Sequence, residues 1–280
     1  MPDMPDIRVA ITGAGGFIGS HIRRALPGHV IISRQDSGPV LTEKLEGCSA
    51  VINLAGAPII RRWTPGYKKV LWESRIGTTK RIVDALEGLG RPPHLVSASA
   101  IGIYPDGRAC DETCPDRAED FLARLCAAWE AEALRYHGPT SIIRIGMALG
   151  TEGGALKMML PIFRLGLGGP IGDGGMTVSW IDIEDLVRAV AFILKRRAQG
   201  IFNMVSPNPV SNREFTRALA RALGRPACLP VPPFMLRVLF GQAAQVLTAS
   251  KEVYPRALSE AGFDFAYPEI GPCLEHLLKR

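Results

Sequence analysis

The sequence predicts an α/β protein: a doubly wound parallel sheet with a smaller, mostly helical C-terminal lobe. Two observations carry this expectation. Short runs of apolar and β-branched residues alternate with segments of helical spacing through the first 150 residues, and the chain past Pro207 turns to helical patterns broken by prolines. Strands that are apolar throughout need cover on both faces, which is the condition of a parallel sheet between helical layers.

The predicted strands are IRVAIT (7–12), HVIIS (29–33), AVINLA (50–55), HLVSAS (94–99), SIIRIG (141–146) and IFNMVS (201–206). Between them, Tyr67 to Leu89 and Ala118 to Tyr136 carry the apolar periodicity of helices. These divide the chain into a dinucleotide-binding domain of the Rossmann type over 7–150 and a lobe over 151–280, with a strand near 201–205 returning to the sheet. The lobe opens with the glycine-rich loop GLGGPIGDGG (166–175), and PVPPF (230–234) reads as the hinge into a last helical module of about 230–280.

The stretch VAITGAGGFIGSHI (9–22) places glycines at 13, 16 and 19 between the first strand and an amphipathic helix carrying Ile18, Ile22 and Leu26. A tight turn needs residues without a Cβ, and a pyrophosphate touches backbone only where no side chain intervenes. The start of the following helix then offers free N–H groups and the positive end of its dipole. Thr12, Gly13, Gly15, Gly16, Phe17, Ile18 and Gly19 are therefore expected to cradle a dinucleotide. At the end of the second strand, about 20 residues on, an acid would select NAD and an arginine NADP. The sequence reads IISRQD, with Ser33 and Arg34 at that point and Asp36 just beyond it, so the expected cofactor is NADP(H).

Composition excludes several classes. At 280 residues, 47% hydrophobic and 21% charged, the chain is an ordinary globular protein. No apolar run is long enough to span a bilayer, and the opening MPDMPDIR has acids and prolines where a secretory signal would be basic and then apolar, so a cytoplasmic protein is expected. Its net charge of +6 is spread among nearly as many acids without interleaved aromatics, which argues against nucleic acid. The six cysteines are scattered, and Cys110 and Cys114 lack a second ligand pair, so reduced thiols and no metal are expected. The expected partner is a small molecule, and the expected state a monomer or homodimer.

These residues resemble the extended short-chain dehydrogenase/reductases, in the nucleoside-diphosphate-sugar epimerase branch of the NAD-dependent epimerase/dehydratase superfamily. NLAGAPI (53–59), ESRIGTTKRIVDAL (73–86), VSASAIGIYP (96–105) and VSWIDIEDLVRAV (178–190) carry the likeness. Within that branch, RRWTPGYKKVLWESRIGTTKRIV, FRLGLGGPIGDGG, NPVSNREFTRALARALGRP and VYPRALSEAGFDFAYPEI are similar to epimerase-family proteins of the SDR39U1/YfcH type, from Ile7 to Leu278. The resemblance implies NADP(H) binding by an atypical oxidoreductase or epimerase, with Leu54, Ala55, Gly56 and Ser97 beside the cofactor. Some proteins of this type are labelled as cell-division inhibitors, so a catalytically silent NADP(H)-sensing regulator is the alternative reading.

The superfamily uses Ser, Tyr and Lys, the last two at a YxxxK spacing so that both lie on one helix face. In this chain no tyrosine has a lysine four residues later. In EDFLARLCAAWEAEA (119–133) the two possible registers offer Phe121 with Leu125 or Leu122 with Cys126, and neither pair moves a proton. Ser99 matches the active-site serine. Tyr104 is the candidate acid, with Arg108 as a nearby cation, or else a half-buried aromatic; Asp111 and Glu112 could supply a carboxylate or be simply solvated. Arg75 and Arg144 are binding candidates at the crevice. Trp180 and Asp182 fall on its second wall, and Trp180 reads equally as core.

Overall fold

The computed structural model describes residues 8–279. The first half runs β1 (Val9–Thr12), α1 (Phe17–Ala25), β2 (Val30–Ile32), α2 (Gly38–Leu45), β3 (Ala50–Asn53), α3 (Pro65–Trp72), a π-helical turn (Glu73–Gly77), α4 (Thr78–Glu87), β4 (His94–Ala100), a 3-10 turn (Ile101–Ile103), β5 (Ala109–Cys110), α5 (Phe121–Ala133), β6 (Thr140–Ile145) and β7 (Met147–Leu149). The second half runs α6 (Gly154–Arg164), β8 (Thr177–Val178), β9 (Trp180–Asp182), α7 (Ile183–Arg196), β10 (Gly200–Met204), β11 (Val210–Ser211), α8 (Asn212–Leu223), α9 (Pro233–Phe240), α10 (Ala244–Thr248), β12 (Glu252–Val253), α11 (Arg256–Glu260) and α12 (Ile270–Leu278).

The main sheet has six strands in the order β10-β6-β4-β3-β1-β2, and every pairing in it is parallel. All six predicted strands are in it. The order reverses at β1, whose neighbours are β2 and β3, so the crevice for a ligand opens where β1 ends. Ile7, the expected first residue of the domain, lies outside the described residues.

Each face of the sheet is covered by apolar helix stripes. On one face α1 and α7 bring Ile22, Leu186, Val190 and Ile193 onto Val9, Ile11 and Ile52. On the other, α2, α4 and α5 bring Leu41, Leu45, Ile82, Leu86 and Ala133 onto Ala10, Val51 and Leu95. A third cluster joins α6, α8 and α12 around Trp180, Phe215 and Leu274, and forms the C-terminal lobe. Thus α7 and β10, which lie past residue 150, belong to the sheet layers. The lobe is tied to them by buried Asp185 on α7, whose carboxylate accepts the backbone N–H groups of Ala266 and Tyr267 at 2.9 and 2.8 Å.

The segment expected as one helix from Tyr67 to Leu89 is interrupted. Its five-residue π-helical turn, ESRIG, closes its hydrogen bonds one residue further along the chain than an α-helix does and has Arg75 at its centre.

Candidate functional site

The turn after β1 is built by backbone contact. Gly13 has φ of +68°, and a Cβ there would stand 2.7 Å from the Leu54 carbonyl oxygen. Gly16 closes the turn by donating its N–H to the Gly13 carbonyl at 2.9 Å, and a Cβ on Gly19 would fall 2.2 Å from that same oxygen. Gly13 and Gly19 are therefore required by the protein's own packing, while a Cβ on Gly16 would stand 3.2 Å from the Gly13 carbonyl oxygen, a tight fit. Gly15 differs: a Cβ there would meet nothing within 4 Å, so the protein's own packing does not require a glycine at this point of the turn. Helix α1 starts at Gly16 without a side-chain cap, leaving first-turn N–H groups for a ligand. Phe17 packs on Gly150, Gly153 and Gly154, which fixes the start of α1 against the loop before α6.

Thr12 and Ser97 lie beneath the crevice floor and act on it through Asn53. Thr12 donates to the Asn53 side-chain oxygen at 2.8 Å, and Asn53 donates to Thr79 Oγ1 at 2.8 Å and Ser97 Oγ at 3.3 Å. Trp129 Nε1 joins at Thr79, 3.0 Å away. All five side chains are buried, and together they set the path of Leu54, Ala55 and Gly56.

At the end of β2, Arg34 is exposed beside Ser33. Asp36 is held by Lys44 at 2.8 Å and by the Ser33 N–H at 2.8 Å, and the Lys44 bond draws its pKa below the usual carboxylate value. Arg81, reaching from α4, donates to the Arg34 carbonyl at 3.0 Å and also to the Asp36 carbonyl. The adenosine end of the crevice thus carries two guanidinium groups and an acid already neutralised. Sequence reasoning missed Arg81 and Lys44 because neither is near Arg34 in the chain.

The candidate catalytic residues come together, but as a closed buried cluster. Ser99 and Arg144 are paired across β4 and β6. Ser99 Oγ donates to Glu130 on α5 at 2.6 Å, and Arg144 donates to the same carboxylate at 2.8 and 2.7 Å. A further Arg144 N–H reaches the Tyr104 hydroxyl at 2.8 Å, and that hydroxyl donates to Asn203 at 2.9 Å. Burial disfavours the charge on Arg144, but its bonds to Glu130 and their attraction outweigh this and raise its pKa. Burial likewise raises Tyr104, outweighing the lowering effect of Arg144.

Several expectations change accordingly. Tyr104 is 1% exposed, which agrees with the packed-aromatic reading and removes its hydroxyl from the crevice. Its cation is Arg144; Arg108 pairs with Asp116 at the surface. Arg144 is itself committed to Glu130, a residue the sequence reading did not single out, so it is not free for a ligand. Trp180 is core, fully buried, with Nε1 donating to the Asn208 carbonyl at 3.1 Å. Asp182 is also fully buried: it caps α7 through the Glu184 N–H at 2.7 Å and accepts from Cys273 at 3.4 Å. Neither faces the crevice wall. Glu112 is not a solvated acid; its carboxylate accepts the N–H groups of Asn203 and Ala257 at 2.7 and 3.2 Å.

On α5, Leu122 packs under Gly102, where a Cβ would stand 2.6 Å from its methyl group, and Cys126 is buried with its thiol pushed up to about 12 by desolvation. No cluster of three or more metal-ligating side chains is present among the described residues, and no helix there is long and apolar enough to cross a membrane.

A parallel sheet with a glycine turn at its reversal point and an uncapped helix start defines the dinucleotide-binding class of α/β proteins. Residues 9–204 match the NAD dependent epimerase/dehydratase family, and residues 231–277 match a domain of unknown function, DUF1731. The chain belongs to the NAD dependent epimerase/dehydratase family. It is 37% identical to the chloroplastic epimerase family protein SDR39U1 homologue of Arabidopsis thaliana, over 97% of this chain and 86% of that one. Identity to human epimerase family protein SDR39U1 is 34%, over 97% of this chain and 100% of that one. A crystal structure of human SDR39U1 (isoform 2) with NADPH matches with a TM-score of 0.93 at 34% identity, covering 98% of this chain and 100% of that chain. A dTDP-4-dehydrorhamnose reductase from Clostridium acetobutylicum shares the fold, with a TM-score of 0.81 at 16% identity over 98% of this chain and 99% of that one.

Proposed function

We propose that the chain is an NADP(H)-dependent oxidoreductase or epimerase of the cytoplasm, acting on a small polar or nucleotide-linked substrate. The observation that carries this reading is the coupling of the open glycine turn to an exposed Arg34 beside a neutralised Asp36. The match to a human relative crystallised with NADPH supports it. The N–H groups at the start of α1 bind the pyrophosphate, and Arg34 with Arg81 binds the 2′-phosphate of the adenosine. When bound, the nicotinamide supplies or accepts a hydride. Ser99, Glu130, Arg144 and Tyr104 brace the wall between β4 and α5. Tyr104 already donates its proton to Asn203, so water carries the proton that accompanies the hydride. The partner is a small molecule, without nucleic acid, membrane or resident metal, and the protein works as a monomer or homodimer.

The test is NADPH oxidation screened against carbonyl metabolites, alongside binding of NADPH and NADH. Turnover that survives Tyr104→Phe agrees with this reading, and loss of turnover in a stable Tyr104→Phe protein returns the tyrosine to the chemistry. The absence of the YxxxK pair from α5, where the two possible registers hold Phe121 with Leu125 or Leu122 with Cys126, favours a second reading, a silent NADP(H) sensor. Under it NADPH binds tightly, no carbonyl compound is reduced, and a protein partner is retained in one redox state of the cofactor only.

A further inference from the structure

Two arginines stand near the crevice, Arg144 buried and Arg75 half-buried, and the fold treats them differently. Arg144 has a carboxylate on two of its nitrogens. Arg75 has none: no ion pair to it exists among the described residues, and the ionisable groups acting on it are Cys126 and Tyr67. Its guanidinium donates to the Leu71 and Ala57 carbonyls at 3.3 and 3.1 Å, which leaves N–H groups over, since the group has five. Desolvation of this unpaired charge lowers its pKa.

The seat of the guanidinium is built. Arg75 lies in the middle of the π-helical turn, a distortion frequent at functional sites. One face of the guanidinium lies over the Trp129 ring, 5.3 Å from its centroid. Its other neighbour is Gly56, where a Cβ would stand 3.0 Å from Cζ, so Gly56 makes room for the arginine. Trp129 lies on α5, the helix on which the resemblance places the YxxxK pair of the superfamily. A cation thus reaches α5 from the neighbouring helical segment that packs on it.

We propose that Arg75 is an oxyanion-binding residue of the crevice, holding a carboxylate or phosphate group of the bound ligand at the place left without a lysine on α5. This rests on the proposed function only in taking the carboxyl edge of the sheet as the ligand site. The oxyanion belongs either to the substrate or to the cofactor, and titration separates the two.

Calorimetry is run on the full chain and on Arg75→Met, Arg75→Lys and Gly56→Ala, the last keeping the charge while displacing the guanidinium. The probes are NADPH, and malonate added to NADPH-saturated and to ligand-free protein. Arg75→Met and Gly56→Ala should each lose at least tenfold in affinity for one probe, and Arg75→Lys should recover part of that loss. A loss confined to malonate assigns the oxyanion to the substrate, and one confined to NADPH assigns it to the cofactor. Variants with native near-UV dichroism that bind both probes as the wild type does overturn the proposal. If Arg75→Met does not fold, Gly56→Ala and Arg75→Lys carry the same comparison. Wild-type protein that ignores NADPH, yet binds malonate through Arg75, refutes the cofactor reading and leaves this one standing.

Discussion

Glu130→Gln is the perturbation that most directly tests the buried cluster. Glu130 accepts three hydrogen bonds, one from Ser99 and two from Arg144, and both charged side chains are 4% exposed. Glutamine keeps the shape but sets an amide N–H₂ against the arginine donors or against Ser99, and it leaves the guanidinium charge buried without a counter-ion. Breaking a buried pair from one side costs about 3–5 kcal/mol. With an unfolding entropy of about 2.1 cal/mol/K per residue, a chain of 280 residues loses about 5–9 °C of Tm for that cost. The double variant Glu130→Leu/Arg144→Met removes both charges and leaves only the Ser99 and Tyr104 hydroxyls short of a partner, at about 1–3 kcal/mol. Urea unfolding of wild type, Glu130→Leu, Arg144→Met and the double forms a closed cycle, with Glu130→Gln measured beside it. The double should be more stable than Glu130→Gln. A Glu130→Gln protein within about 1 kcal/mol of wild type, or a double variant as unstable as the sum of its singles, refutes the cluster as drawn, because an uncompensated buried charge is the source of the whole effect.

Other changes probe the crevice and the lobe. Gly15→Ala adds a methyl group that touches no protein atom, so Tm should stay within about 2 °C while NADPH affinity drops at least tenfold. Gly19→Ala meets the Gly13 carbonyl and should lower both. Arg34→Ala should reduce the preference for NADPH over NADH at least tenfold, and Lys44→Met, which frees the Asp36 carboxylate, should move it the same way; paired titrations measure both. Burial pushes the Asp182 carboxyl up to about 6. Since its folded pKa lies above the unfolded value, the stability it supports is full below about pH 4 and is lost as pH rises through about 6. Asp182→Asn keeps a good helix cap and should remove that loss, a relative gain on the order of 2 kcal/mol between pH 4.5 and 7.5 in urea unfolding.

The sheet was legible because each strand is short, apolar and bounded by turn residues, and because parallel strands need no alternation to be recognised. The glycine turn was legible for the same kind of reason: its demands are local, and Gly13, Gly16 and Gly19 satisfy them within seven residues. Long-range pairings were not legible. Lys44 and Arg81 reach Asp36 and Arg34 from other helices, and no spacing rule connects them. Glu130 did leave a signal. Arg144 sits in the middle of SIIRIG, a strand apolar on both faces, and a guanidinium placed there demands a buried acid. The acids of EDFLARLCAAWEAEA were the nearest helical supply, and Glu130 is the one on the sheet-facing side. The π-helical turn left none, because ESRIG carries the composition of an ordinary helix.

What α5 has become bears on the kind of chemistry the crevice supports. The helix that holds the proton-moving pair elsewhere in the superfamily presents Leu122, Cys126 and Glu130 along this face. The first is apolar, the second is a thiol that stays protonated to about pH 12, and the third is locked by Arg144. Tyr104, the phenol just past the carboxyl end of β4, is bound on both sides by Arg144 and Asn203. Charge that develops on a reacting oxygen therefore meets no free proton donor among these residues of α5 and Tyr104. On the proposal above it meets the Arg75 guanidinium, which stabilises an oxyanion through its N–H donors. Reactions whose intermediate is an anion protonated later by water suit such a site. On the reading advanced above, reduction of a carbonyl next to a carboxylate should then outlast the loss of Tyr104, while depending on Arg75.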